Sequence, residues 1–190
     1  MTSPFDTRPI IVALAGPNGA GKTTFYGAHL ARTGLRFVNA DDLARELGLA
    51  PYDVADAAKN VRDALVEQRE SFEFETVFSD PVGDKLEFLR AATSLGYTVV
   101  LCFIGLDSPE LSDERVAMRV LQGGHDVPKE KLVARYPRTI ENLRRAIREL
   151  SHVLVFDNSD LRRPFRKVAA FEAGDPVELN EPLPPWLPWS

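Results

Sequence analysis

The 190-residue chain has a single cysteine, Cys102. A disulfide within the chain is therefore impossible. The thiol sits inside the apolar run TVVLCFIGL and reads as a core residue rather than a nucleophile. There is no excess of positive charge, because 23 Lys and Arg stand against 28 Asp and Glu, a net charge of −5. That argues against a general nucleic-acid binder. No apolar run approaches the length of a membrane span, and the opening MTSPFDTRP lacks a signal-peptide apolar core. The expectation is a soluble, cytoplasmic protein in a reducing compartment, with no nucleic-acid or membrane partner. Of the three histidines, His29 and His152 have no ligand spacing. His125 reads as a polar turn residue, with substrate contact as the alternative. No metal site made of side chains alone is expected. Internal repeats are absent. The only low-complexity piece is NEPLPPWLPWS at the end, whose tryptophans either pack back onto the domain or cover a neighbour.

What is present is a phosphate-binding pattern. Residues 16 to 24 read GPNGAGKTT, with the full spacing Gly16-x-x-x-x-Gly21-Lys22-Thr23. It follows the β-branched apolar run IIVALA and precedes a helical pattern, the context the motif needs. Gly16, Gly19 and Gly21 let the backbone turn its N–H groups toward phosphate oxygens. The following helix N-terminus adds positive partial charge. The whole run, Gly16, Pro17, Asn18, Gly19, Ala20, Gly21, Lys22, Thr23 and Thr24, is expected to hold ATP. Lys22 is the cation for its outer phosphates, and Thr23 is a ligand for Mg²⁺.

Five apolar runs read as strands: Ile10–Ala15, Arg36–Asn39, Phe72–Thr76, Thr98–Gly105 and Val153–Asp157. Helical patterns alternate with them, which predicts a parallel five-stranded sheet covered on both faces, a P-loop NTPase fold. Ser108 and Pro109 open one helix as cap and first residue. Another starts at Pro81 and ends before Gly96. A longer one after Val127 is expected to break at Pro137. The stretch KVAAFEAGDPVELNE suggests an antiparallel hairpin at a sheet edge, turning at Gly-Asp-Pro. The division expected is a kinase domain over 1–175, with a lid at about 115–140, and a proline-rich tail over 176–190.

The phosphate loop could belong to a transport motor or to a group-transfer enzyme. LQGGH and VLVFDN stand in the order of the motor's signature and acidic strand. The signature serine is missing, however, and no glutamate follows Asp157. Transfer is supported by RFVNADDLARE, which puts Asp41 and Asp42 just past the second strand, where ligands bind in parallel sheets. Asp41 is assigned the base that takes a hydroxyl proton, and Asp42 the cap or first turn of the next helix. In SFEFETVFSD, Glu75 emerges at the strand's carboxyl edge with Thr76 and Ser79 beyond it. These three are the candidate substrate-holding residues. Glu75 could alternatively serve a Mg²⁺-bound water, or be an ordinary edge charge. Glu73 faces the same way but lies deeper. Cations are also needed over the transferred group. Arg115 and Arg119 lie four apart on one helix face. Arg135 and Arg138 flank Pro137. From Lys129 to Glu149 there are seven basic residues against three acidic ones, which reads as a basic lid over ATP. Arg144, Arg145 and Arg148 read as a solvated face with salt bridges.

These segments, with VNADDLARE, FEFETVFS and RVLQGGHDVPKEKLVARYPRTIENL, resemble the zeta toxin family of P-loop kinases, in particular its short single-domain members. The resemblance runs from about Pro9 to Asp157. It implies a kinase-type parallel sheet with a lid, and ATP and Mg²⁺ held through Lys22 and Thr23. It also implies Asp41 as catalytic base, Glu75 as a substrate-holding residue, and Arg119, Arg135 and Arg138 on the transferring phosphoryl group. Phe156 to Ser159 falls where the adenine loop lies, which points to Asn158. The family's better-known members phosphorylate the 3′-hydroxyl of UDP-N-acetylglucosamine, and an antitoxin protein is a possible partner. This chain's loop reads Pro-Asn-Gly-Ala-Gly where theirs more usually reads Pro-Gly-Ser-Gly. The expected activity is ATP-dependent transfer to a hydroxyl of a small molecule. The alternatives are an antibiotic kinase similar to chloramphenicol phosphotransferase, and an ATP-hydrolysing switch or binding protein.

Overall fold

A computed structural model describes residues 3–48, 51–123 and 127–189, without the side chains at 41, 45–47, 51 and 52. His125, expected in a turn, lies outside the described residues. The chain folds as an α/β sandwich. Its parallel strands are β1 (Ile10–Ala15), β2 (Arg36–Val38), β3 (Phe72–Thr76), β4 (Thr98–Gly105) and β5 (His152–Asp157). They agree with the expected runs to within a residue. β1 is buried along its whole length, which is why IIVALA is apolar without alternation.

The sheet has seven strands and is mixed, in the order β2-β3-β1-β4-β5-β6-β7, where five parallel strands were expected. The hairpin of β6 (Arg166–Glu172) and β7 (Asp175–Leu179) extends it antiparallel from β5. Its two-residue turn is Ala173–Gly174, with φ 51° and 93°, the paired left-handed conformation of a type I′ hairpin. Asp175 and Pro176 are already inside β7, so residue 176 falls within a strand of the sheet. Pro176 is tolerated because β7 is the edge strand.

Alternate residues of the sheet feed two apolar layers. Ile11, Phe74, Leu101 and Phe103 pack with Leu89 of α4 (Asp84–Ser94) and Leu143 of α6 (Lys129–Glu149). Val12, Leu14, Val100, Cys102 and Ile104 pack with Phe25 of α1 (Lys22–Phe25) and with Leu30 just after it. The remaining α-helices among the described residues are α2 (Ala40–Leu47), α3 (Pro51–Glu67) and α5 (Pro109–Leu121). β1 has β3 on one side and β4 on the other. The sheet therefore changes its direction of growth there, and the crevice at the carboxyl ends of these strands is the natural ligand position.

Two helices differ from expectation. α4 starts at Asp84, not Pro81, because Gly83 stands before it in the left-handed region at φ 84°. α6 runs unbroken through Pro137. The carbonyl that loses its helical donor belongs to Val133, which is 44% exposed, so water can satisfy it. Buried anchors on both sides hold the helix on the body. Leu132 precedes the proline, while Thr139, Asn142 and Leu143 follow it.

Candidate functional site

The phosphate loop joins β1 to α1. Gly16 lies so close to β4 that a Cβ there would stand 2.1 Å from Ile104 O. Gly21, at φ 85°, caps α1 and leaves room for the Asn158 amide and the Phe165 ring. The Lys22 side chain is 6% exposed and folds over its own loop. Its Nζ donates to Gly16 O at 3.0 Å and Pro17 O at 3.1 Å.

Glu75, the last residue but one of β3, lies directly beside this loop. Thr23 Oγ1 donates to Glu75 Oε2 at 3.1 Å, and Asn39 Nδ2 donates to the same oxygen at 3.3 Å. Lys22 Nζ stands 3.8 Å from Glu75 Oε1. One carboxylate thus gathers the loop's cation, its hydroxyl and the end of β2. The register explains this, because Leu14 of β1 pairs with Glu75, and Val38 of β2, just before Asn39, pairs with Phe74. A hydroxyl and a carboxylate that close form a hard oxygen pair of the kind Mg²⁺ favours.

Asn39 was not singled out from the sequence. It is the residue before α2, and its Oδ1 accepts from Asp42 N at 3.4 Å. The cap of α2 is therefore Asn39, and the helix begins at Ala40. Asp42 lies in the first turn. Asp41 lies in that turn too, while its side chain is outside the described atoms.

A cleft of about 330 Å³ opens beyond β3. Its wall includes Thr76, Ser79, Asp80, Lys85, Arg135 and Arg138. Two of the three expected substrate-holding residues and two of the three expected arginines thus meet in one place. The third arginine, Arg119, is exposed on α5 and does not line this cleft. The cleft is framed by α6. Thr139 Oγ1 donates to Val77 O at 3.1 Å, and Asn142 Nδ2 to Phe78 O at 2.9 Å. Phe78 itself is held at φ 62° and fully buried. Neither Lys85 nor Asp80 was picked out from the sequence, since a lone charge after a strand carries no signal by itself. Arg144 and Arg145 pair with Glu141 and Glu149 on the outer face of α6.

On the other side of the loop, Asn158 is buried and fully engaged. Its Nδ2 donates to Ala20 O at 2.9 Å, and its Oδ1 accepts from Phe165 N at 3.3 Å. It braces the phosphate loop through the backbone. Arg115 of α5 reaches the same region, donating to Ser159 O at 3.1 Å. Burial pulls its guanidinium pKa down, with Asp157 opposing that shift. Ser112, one turn earlier, donates to Asn18 O at 2.6 Å. Tyr136 donates to Leu106 O at 2.6 Å. Burial, with Asp107, Glu110 and Asp157 nearby, pushes its phenol up to about 12.

The model of one family, described as zeta toxin, matches residues 1–167. No curated protein matches the chain. Among solved structures it is similar to a chain of the AvrRxo1-ORF1:-ORF2 complex with ATP, at 20% identity and TM-score 0.67, covering 91% of this chain and 61% of that one. It is also similar to a chain from the PezAT chromosomal toxin-antitoxin system of Streptococcus pneumoniae, at 20% identity and TM-score 0.60, covering 90% and 74%. A chain of the Pnkp1/Rnl/Hen1 RNA repair complex matches at 19% and TM-score 0.55, covering 76% and 49%. Likeness at such identities carries the fold alone. The chain spans less than two thirds of the AvrRxo1 chain, 61%. Among the described residues, no helix is long and apolar enough to cross a membrane.

Proposed function

This chain belongs to the zeta toxin family, and from that premise we propose that it is an ATP-dependent kinase acting on a hydroxyl of a small molecule, with UDP-N-acetylglucosamine the first candidate acceptor. The observation that carries the reading is the convergence on Glu75. Its carboxylate joins Lys22 and Thr23 of the phosphate loop to the end of β2, beside a cleft with basic residues. The cleft begins at Thr76, the residue after Glu75, and a transport motor needs no such space for an acceptor. A group-transfer enzyme does.

In this reading Lys22 exchanges its two loop carbonyls for the outer phosphates of ATP, and Asn158 and Ser112 hold the loop that presents its N–H groups. Thr23 and Glu75 would hold Mg²⁺, which would neutralise phosphate charge. The acceptor enters the cleft between Thr76, Ser79 and α6. Asp41 takes the proton of its hydroxyl. The new O–P bond forms as the bond from the γ-phosphorus to the bridging oxygen breaks, and ADP leaves. Arg135 and Arg138 balance charge on the transferring oxygens, and Arg119 joins them if the lid closes. An antitoxin protein is proposed as a partner, on the strength of the likeness to a chain of a toxin-antitoxin system.

The test is incubation of the full chain with ATP, Mg²⁺ and UDP-N-acetylglucosamine, followed by mass spectrometry. A product heavier by one phosphate supports the reading. Release of inorganic phosphate alone, at a rate the sugar nucleotide does not change, favours the switch instead.

A further inference from the structure

The segment Asn180–Trp189 lies beyond the residues matched by the family, yet it is built into the site's back wall. Trp186 and Leu187 are each 7% exposed and join the apolar layer under α6. The Trp186 ring lies over Gly105, the last residue of β4, so closely that a Cβ there would meet it at 2.1 Å. Gly105 does not have the positive φ that asks for glycine. Its missing side chain is explained by the ring. The neighbouring residue of the same strand, Ile104, is the one against which Gly16 of the phosphate loop is pressed.

The same segment grips the end of β5. Trp186 Nε1 donates to Asp157 Oδ1 at 3.4 Å. Arg166 donates to Asn180 O at 3.1 Å and Pro182 O at 2.9 Å, and its Nη2 stands 3.7 Å from Asp157 Oδ2. Asp157 Oδ1 in turn accepts from Ser159 N and Ser159 Oγ, at 3.1 and 2.6 Å. The next links are already part of the site: Ser159 O takes Arg115, and Asn158 takes Ala20 O. An unbroken series of contacts runs from the tryptophan to the phosphate loop.

We propose that Trp186 is a positioning residue for the nucleotide, fixing through Asp157 and Gly105 the loop at residues 158–165 that braces the phosphate loop and Arg115. The inference rests on the reading that this loop binds ATP. It gives the proline-rich segment a task in substrate affinity and not only in folding. The coupling is reciprocal, so nucleotide binding changes the surroundings of Trp186 as Trp186 changes nucleotide affinity.

The test uses the full chain and its two tryptophans. Trp186→Phe keeps a ring over Gly105 and loses the N–H. Trp186→Leu loses both. Trp189→Leu removes the ring packed on Phe171, at 4.9 Å between centroids, and serves as the control for lost stability. The dissociation constant for ATP with Mg²⁺ is measured by calorimetry on each. The expected result is a loss of affinity of about fivefold to tenfold for Trp186→Leu and a smaller loss for Trp186→Phe, the scale of one hydrogen bond with its packing. Trp189→Leu melts earlier yet binds ATP as the parent does. Trp189→Phe leaves Trp186 as the single tryptophan, and its selectively excited emission changes on adding ATP. Unchanged affinity in both Trp186 variants, with only the melting temperature lowered, overturns the inference and leaves the ATP reading standing. Absence of ATP binding by the unaltered chain overturns both.

Discussion

Thr23 and Glu75 are 52 residues apart in the chain, and the Thr23 hydroxyl donates to Glu75 Oε2 at 3.1 Å. Parallel pairing of β1 with β3 makes that contact, because Leu14 and Glu75 share a register position and the phosphate loop curls back over the strand end. The contact places a negative charge where the loop's cation and hydroxyl meet. Glu75→Gln keeps the size and removes the charge. Transfer is expected to fall roughly a hundredfold, the scale of one lost electrostatic group. The melting temperature should change little, since the side chain sits at a strand end. Steady-state rates and a thermal melt check this.

Asn39 serves two groups at once, capping α2 and donating to Glu75. Asn39→Ala should destabilise the protein by about 1 kcal/mol, the usual value of a lost helix cap, and should also lower the rate. Asn39→Asp keeps an acceptor for the helix but sets a second carboxylate against Glu75. Its stability should stay near the parent's while its rate falls. Urea melts together with kcat separate the two effects.

Glu73 lies two residues before Glu75, fully buried, with Thr33 Oγ1 donating to one carboxyl oxygen and no hydrogen-bond partner for the other among the described residues. Burial raises its pKa, and the Thr33 bond offsets only part of that. Tyr26 and Cys102 feel its charge from the packing around it. The folded protein therefore holds this proton more tightly than the unfolded chain, whose glutamates titrate near about 4.3. Stability is lost as pH rises from there through the folded value. Glu73→Gln should melt higher than the parent at pH 7 to 8, and the gain should vanish near pH 4. A variant that melts lower at both pH values contradicts this account of the residue.

Gly105 and Trp186 should be energetically coupled. Gly105→Ala forces a methyl group into the ring and should destabilise by about 1–3 kcal/mol, as overpacking does. In a Trp186→Ala background the same change should be close to neutral. A double-mutant cycle in urea measures the difference directly. Additive effects would mean that the ring does not dictate the glycine.

Burial pushes the Cys102 thiol up to about 12. A thiol reagent at pH 8 should leave the folded protein unlabelled and modify it fully in denaturant. Mass spectrometry of both samples is sufficient.

The centre of the parallel core was legible because β1 and β4 are continuous apolar runs buried along almost their whole length, and because the loop motif is fixed in spacing by phosphate geometry. Ser108 and Pro109 mark the start of α5 for similarly local reasons; the Ser108 hydroxyl accepts from Leu111 N at 3.2 Å. What was not legible depended on distant partners. α6 passes through Pro137 because its anchors bind Val77, Phe78 and Leu106, none of them near in sequence. The two-residue hairpin turn uses Ala173 at positive φ, which no local preference announces. Asn158 reads as a loop residue, and its amide is tied to Ala20, 138 residues earlier. Asp42 is expected as the cap or first turn of α2 and lies in that turn, while Asn39 makes the cap.

The claim on which the functional account turns is that Asp41 removes the acceptor's proton. The direct measurement compares Asp41→Asn with the parent for phosphate transfer to the acceptor and for ATP binding by calorimetry. The account predicts transfer reduced by at least about a hundredfold, the lower end for a lost general base, with ATP affinity within roughly a factor of two. Transfer at the parent's rate by Asp41→Asn would contradict it.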